Sequence, residues 1–96
     1  MTEQQRIYNG ARAREVLTNE AYSQAFGDLK AEILEKWQNS PSRDKDGRET
    51  LYLMLGLANK LQGLLTTAME SGKLAEADLN YKQTLAERAR SLVGLR

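Results

Sequence analysis

Neither cysteine nor histidine occurs in this 96-residue sequence. Disulfide frameworks, zinc sites of the usual kind, cysteine nucleophiles and histidine acid–base chemistry are excluded together. A dominant charge is also missing. Fourteen basic residues against thirteen acidic ones leave +1, too near neutral for long-range attraction to nucleic acid or anionic lipid to be the main force. No apolar run approaches the roughly 20 residues of a membrane span, and Met1-Thr2-Glu3-Gln4-Gln5-Arg6 lacks the apolar centre of a signal peptide. The expectation is a soluble, intracellular chain without membrane contact. Proline occurs once, and with seven glycines it divides the sequence into segments. At this length there is material for one domain only.

What is present is a helical pattern. Apolar residues recur at three- and four-residue steps rather than alternating, which predicts an all-α protein. The clearest stretch covers about 19–39, where Tyr22, Ala25, Phe26, Leu29, Ile33 and Trp37 share a stripe. Thr18 or Asn19 can cap its start, because a short oxygen-bearing side chain accepts a bond from an otherwise unpaired backbone N–H. Ser40-Pro41 ends it, since proline disfavours helical backbone in the residue before it. Phe26 and Trp37 are expected in the core, with the rings of Tyr22 and Tyr52 beside them and their hydroxyls at its edge.

Residues 40–47 carry no apolar side chain and read as the solvated tip of a long antiparallel helical hairpin spanning about 19–71. Asp44 or Asp46 can cap its second helix, predicted over 47–71 with Leu51, Met54, Leu55, Ala58, Leu61, Leu65, Ala68 and Met69 buried. Gly56 and Gly63 lie near one face and suggest a close backbone crossing, with a hinge or ligand gap as the alternative. Gly72 stands where a left-handed terminating residue is expected, with Lys73 suited to the negative helix end. Flanking helices are predicted over about 2–17 and 75–92.

Leu53, Leu57 and Leu64 fall partly off the buried stripe, so the second helix is apolar over a wider arc than one partner helix covers. Long helices in a short chain make a slender body with much surface in water. Association with copies of itself or with a larger protein is the physical remedy. The expected interface is Leu53, Leu57 and Leu64, with Arg88 and Arg90 as a charged rim.

Chemistry beyond association finds no support. Glu32 and Glu35, or Asp44 and Asp46, are the nearest carboxylate pairs, and both read as solvated. Asp44-Lys45-Asp46-Gly47 has the spacing of a calcium loop, but with Gly47 sixth the last position is Leu53, where a bidentate glutamate is needed. Ser71-Gly72-Lys73 looks like the end of a phosphate-binding loop, yet Thr67 stands in place of the earlier glycine and Leu74 in place of the magnesium-binding hydroxyl. No activated nucleophile is visible. The chain is read as a non-enzyme without cofactor or metal.

Charge is uneven along the chain. Over residues 79–96, Lys82, Arg88, Arg90 and Arg96 face Glu87 alone, whereas residues 18–38 hold four acids and two bases. The basic end could touch phosphates through Lys82, Arg88, Arg90 and Arg96, or equally serve a helix end or an acidic neighbour. No aromatic residues interleave with these bases to stack nucleotides, so nucleic acid is the weaker reading.

Several residues together resemble a family. The run Ala13-Arg14-Glu15-Val16-Leu17-Thr18-Asn19-Glu20-Ala21-Tyr22, then Ala25-Phe26, Trp37, Arg43-Asp44, Gly47-Arg48-Glu49, Leu51-Tyr52 and Gly72-Lys73-Leu74-Ala75, resembles small helical proteins of tailed bacteriophages and prophages. Such proteins are encoded among head and packaging genes, and many have no assigned activity. The resemblance covers about residues 13–75 and transfers no catalytic residue. It implies a protein of the host cytoplasm, or one incorporated in the virion, that associates with itself or with a virion or packaging protein. Two alternatives share the helical body: a DNA-binding packaging accessory, and a phage inhibitor of a host defence or transcription protein.

Overall fold

The computed structural model describes residues 1–94. Among these there are three helices and no strand: α1 (Glu3–Leu17), α2 (Glu20–Asn39) and α3 (Lys45–Gly94). Arg96 lies outside the described residues.

Each start is fixed by a short polar side chain. Thr2 and Gln5 form a reciprocal capping box on α1, the Gln5 N–H donating to the Thr2 hydroxyl (3.1 Å) and the Thr2 N–H to the Gln5 side chain (2.9 Å). Asn19 caps α2 by accepting from the Tyr22 N–H at 3.0 Å. Asp44 caps α3 in the same way, through the Gly47 N–H at 3.1 Å. Ser40, before the proline, is extended and closes α2.

The boundary expected at Gly72 does not exist. α3 runs unbroken for 50 residues, through the positions read as the end of one helix and the start of another at 75. No glycine in the described residues has positive φ, so Gly72 does not supply the left-handed turn that would stop a helix. Its role is close approach. Gly72 and Ala75 on α3 are buried together with Gly10 and Ala13 on α1, and these small residues let the two backbones come together.

Contacts between the elements follow one order. Arg48 near the start of α3 reaches Trp37 near the end of α2. Farther along α3, Gln62 lines a groove with Leu17, Tyr22 and Phe26. Gly72 meets Gly10, and Lys82 meets Glu3 at the start of α1. Thus α2 and then α1 lie along α3, separated from each other by Thr18 and Asn19.

The result is a rod. Fifty helical residues at about 1.5 Å each span roughly 75 Å, and the molecule measures 81 × 24 × 17 Å with a radius of gyration of 21.9 Å. A globule of this length would have a radius near 13 Å. The shape leaves little interior: the buried hydrophobic residues are Ala13, Phe26, Ile33, Ala58 and Ala75. Trp37 and Tyr52, expected in the core, are instead 40% and 70% exposed, because α2 and the first part of α3 pack on each other alone and no further helix covers the flanks of their contact. Inward-facing positions of α3, among them Leu51, Leu55, Ala58, Leu65, Met69 and Gly72, step by four and three or their sum, the spacing of a helix that keeps one seam against its neighbours.

Candidate association surface

The solvent-exposed face of α3 carries the residues singled out from the sequence, with Leu64 at its border with Met1 and with Arg6 and Asn9 of α1. Leu53, Leu57 and Leu64 are 57%, 68% and 61% exposed. They share a face because four- and seven-residue steps return nearly to the same side of a helix. The same face continues past them. Leu74, Tyr81, Leu85 and Leu92 are all exposed large apolar residues on α3, and they prolong the line toward the end of the helix. These four were missed as a set because a helix boundary was expected at Gly72, which separates Leu64 from Leu74 and hides their common periodicity.

The two glycines at 56 and 63 make no close crossing. A Cβ on either would meet nothing within 4 Å, so both sit in open space beside the leucine face. Gly56 shares a shallow groove with Tyr52, Leu53, Leu57 and Lys60.

The charged residues separate into two groups. Lys82 is engaged: its ammonium donates to the Glu3 carboxylate at 2.6 Å, with Asp78 at 3.9 Å. The hydrogen bond from Lys82 holds Glu3 below the usual carboxylate value, and the same bond raises the ammonium of Lys82. The contact ties the start of α1 to α3. Arg88 and Arg90 lie beyond it, on the exposed segment of α3 past residue 82, where the Arg90 guanidinium makes a long bond to the Ala86 carbonyl, 3.5 Å. The structure therefore does not gather Lys82, Arg88 and Arg90 into one free basic patch.

Other polar groupings are structural. Arg48 lies over the Trp37 ring at 4.4 Å and donates to the Trp37 carbonyl (3.2 Å) and the Ser40 hydroxyl (2.9 Å), closing the end of α2. Arg6 crosses from α1 to the Ser71 hydroxyl and carbonyl at 2.9 and 3.2 Å. Glu32 pairs with Lys36 on the wet side of α2, and Asp44 acts as a cap. Among the described residues no three acidic side chains converge on a metal-sized space, and no helix is long and apolar enough to cross a membrane.

What the surface can do physically is bury apolar area against another helix. Its large residues are aligned, lie outside the interior and are carried on a rigid element. No family model matches the chain, and no curated protein or solved structure matches it.

Proposed function

We propose that this chain works by protein association, presenting the outer face of α3 to a partner helix and performing no chemistry of its own. In this reading α2 and the first half of α3 act as an antiparallel helical hairpin that stiffens the presented face, while Arg88 supplies a charged rim and Arg90, two residues on, points to the other side of α3. The observation that carries it is the imbalance between inside and outside. Among the described residues, Phe26 and Ile33 are the only large side chains that are buried and hydrophobic, whereas seven large apolar residues on the outer face of α3 stand exposed. A small domain that hides so little is marginal alone and gains stability by covering that face. The resemblance to small proteins of phage head and packaging genes supports the setting: a component of virion assembly or packaging, bound to itself or to a particle protein.

Leu57→Glu tests the reading. The side chain is exposed in the isolated chain, so circular dichroism should be almost unchanged, while light scattering should show the assembly dispersed. Retained association in the variant would sink the proposal.

A DNA-binding accessory role is the second reading, favoured by the exposure of Arg88 and Arg90 on the projecting end of α3. It requires affinity for duplex DNA that falls steeply with salt and disappears on neutralising those two residues.

A further inference from the structure

We infer that the outer face of α3 pairs with the same face of a second copy in antiparallel orientation, in a register centred on Met69. The inference rests on the association reading above and specifies the partner, the direction and the alignment.

The outer face repeats as a heptad. Starting at Leu53, the positions 57, 60, 64, 67, 71, 74, 78, 81 and 85 advance by alternating steps of four and three. That is the spacing of a coiled-coil seam, and it lies beside the seam packed against α1 and α2, its middle positions Leu64, Thr67 and Ser71 bordering a groove with Met1 and with Arg6 and Asn9 of α1. Its span is about 48 Å at 1.5 Å per residue. Six of the ten positions hold exposed large apolar residues. The other four are Lys60, Thr67, Ser71 and Asp78; Ser71 is half-buried and accepts from Arg6, and Asp78 is exposed with Lys82 at 3.9 Å, so both border the edge toward α1.

Those four polar residues choose the partner. In an antiparallel pair of identical helices, residues equidistant from the two-fold axis face each other. With the axis at Met69, Leu53 meets Leu85 of the second copy and Leu57 meets Tyr81. Leu64 meets Leu74. Lys60 then faces Asp78, and Thr67 faces Ser71, so every apolar residue meets an apolar one and every polar residue a polar one. The lone cation of the seam meets its lone anion, twice by symmetry. One step farther out, Arg88 falls opposite Thr50, next to Glu49 and a turn from Asp46, which adds an attractive rim.

Other alignments lose this match. Sliding one copy by a heptad in one direction sets Lys60 against Leu85 and Ser71 against Leu74. Sliding in the other sets Leu53 against Asp78 and Leu64 against Thr67. A parallel, in-register pair sets Lys60 against Lys60 and Asp78 against Asp78, leaving like charges opposed. An unrelated partner would not require the seam to be complementary to its own reverse.

Charge reversal with mixing tests the register. Sedimentation velocity at micromolar concentration should give a dimer for the native chain. Lys60→Glu and Asp78→Lys should each weaken the dimer by about a hundredfold, because each places two like-charge contacts in the seam. An equimolar mixture should recover native affinity. The carboxylate introduced at position 60 of one variant then faces the ammonium introduced at position 78 of the other, while the native Lys60 and Asp78 also meet. Circular dichroism on each variant establishes that the helices persist. A mixture that stays monomeric, or a Lys60→Glu variant that dimerises like the native chain, overturns the register. If Leu57→Glu still disperses an assembly in that case, association stands and only the pairing fails. A native chain that is monomeric throughout overturns the second copy as the partner.

Discussion

Gly10 and Gly72 meet backbone to backbone. A methyl group on Gly10 would lie 2.8 Å from the Gly72 Cα and 2.9 Å from the Ala68 carbonyl oxygen. One on Gly72 would lie 2.9 Å from both the Gly10 Cα and the Arg6 carbonyl oxygen. These neighbours are backbone atoms of two packed helices and cannot swing aside, so the helices must separate to admit a Cβ. Gly10→Ala and Gly72→Ala should therefore destabilise the protein by about 1–3 kcal/mol. Gly56→Ala and Gly63→Ala should do the reverse, since each gains up to about 1 kcal/mol of helix propensity in open space. Urea midpoints for the four variants check the contrast in sign.

That pair also shows how far the sequence could be read. The helical period, Asn19 and Asp44 as caps and Ser40-Pro41 as a stop are local signals, each acting within one turn. They are visible without knowledge of neighbours. Gly72 is ambiguous locally, because a glycine that ends a helix and a glycine that admits a second helix look the same until the partner is known. Gly10 is that partner, far away in the sequence. Losing the continuity of α3 also truncated the outer leucine face at Leu64. Trp37 and Tyr52 failed for a different reason: periodicity identifies a stripe, but the fraction of it that is covered depends on how many helices are available. Lys82 illustrates the same limit for charge, since its partner Glu3 lies at the far end of the chain.

Arg48 performs two tasks on α2, and the sole tryptophan reports both. Its guanidinium stacks on Trp37 and its N–H groups bond the Trp37 carbonyl and Ser40 hydroxyl. Arg48→Ala should shift Trp37 fluorescence to longer wavelength and lower stability by about 1 kcal/mol, through loss of the cation–π contact and of the guanidinium's hydrogen bonds, while the Trp37 carbonyl still accepts from the Ser40 N–H and hydroxyl. Arg48→Lys should recover only part of this, because an ammonium lacks the planar fork. An unchanged emission spectrum in Arg48→Ala would contradict the stacking.

Tyr22 stacks on Phe26 with ring centroids 5.6 Å apart, and its hydroxyl is buried without a hydrogen-bond partner. Burial without a partner costs a hydroxyl its hydration. Tyr22→Phe keeps the stacked ring and removes that cost, so it should leave stability unchanged or raise it by up to about 1 kcal/mol. Tyr22→Ala removes the ring and should destabilise by about 3 kcal/mol or more. Thermal denaturation of the two variants separates the contribution of the ring from that of the oxygen.

The Glu3–Lys82 contact gives the docking of α1 a pH dependence of known sign. Glu3 sits below its ordinary value of 4.5 because Lys82 donates to it. Its contribution is complete above 4.5 and is lost as pH falls through the lowered folded value. Lys82 sits above its ordinary value of 10.5 because Glu3 accepts from it. Its contribution is complete below 10.5 and is lost as pH rises through the raised folded value. Both side chains reach solvent, so the effect is small and screened by salt. Other carboxylates titrate over the same acid range, which makes the difference curve the informative quantity. Hydrogen exchange in the first two turns of α1 should be slower in the native protein than in Glu3→Gln near neutral pH. The two should converge on acidification below the ordinary carboxylate value and in molar salt. A difference that persisted in acid would mean that Glu3 holds α1 by something other than its charge.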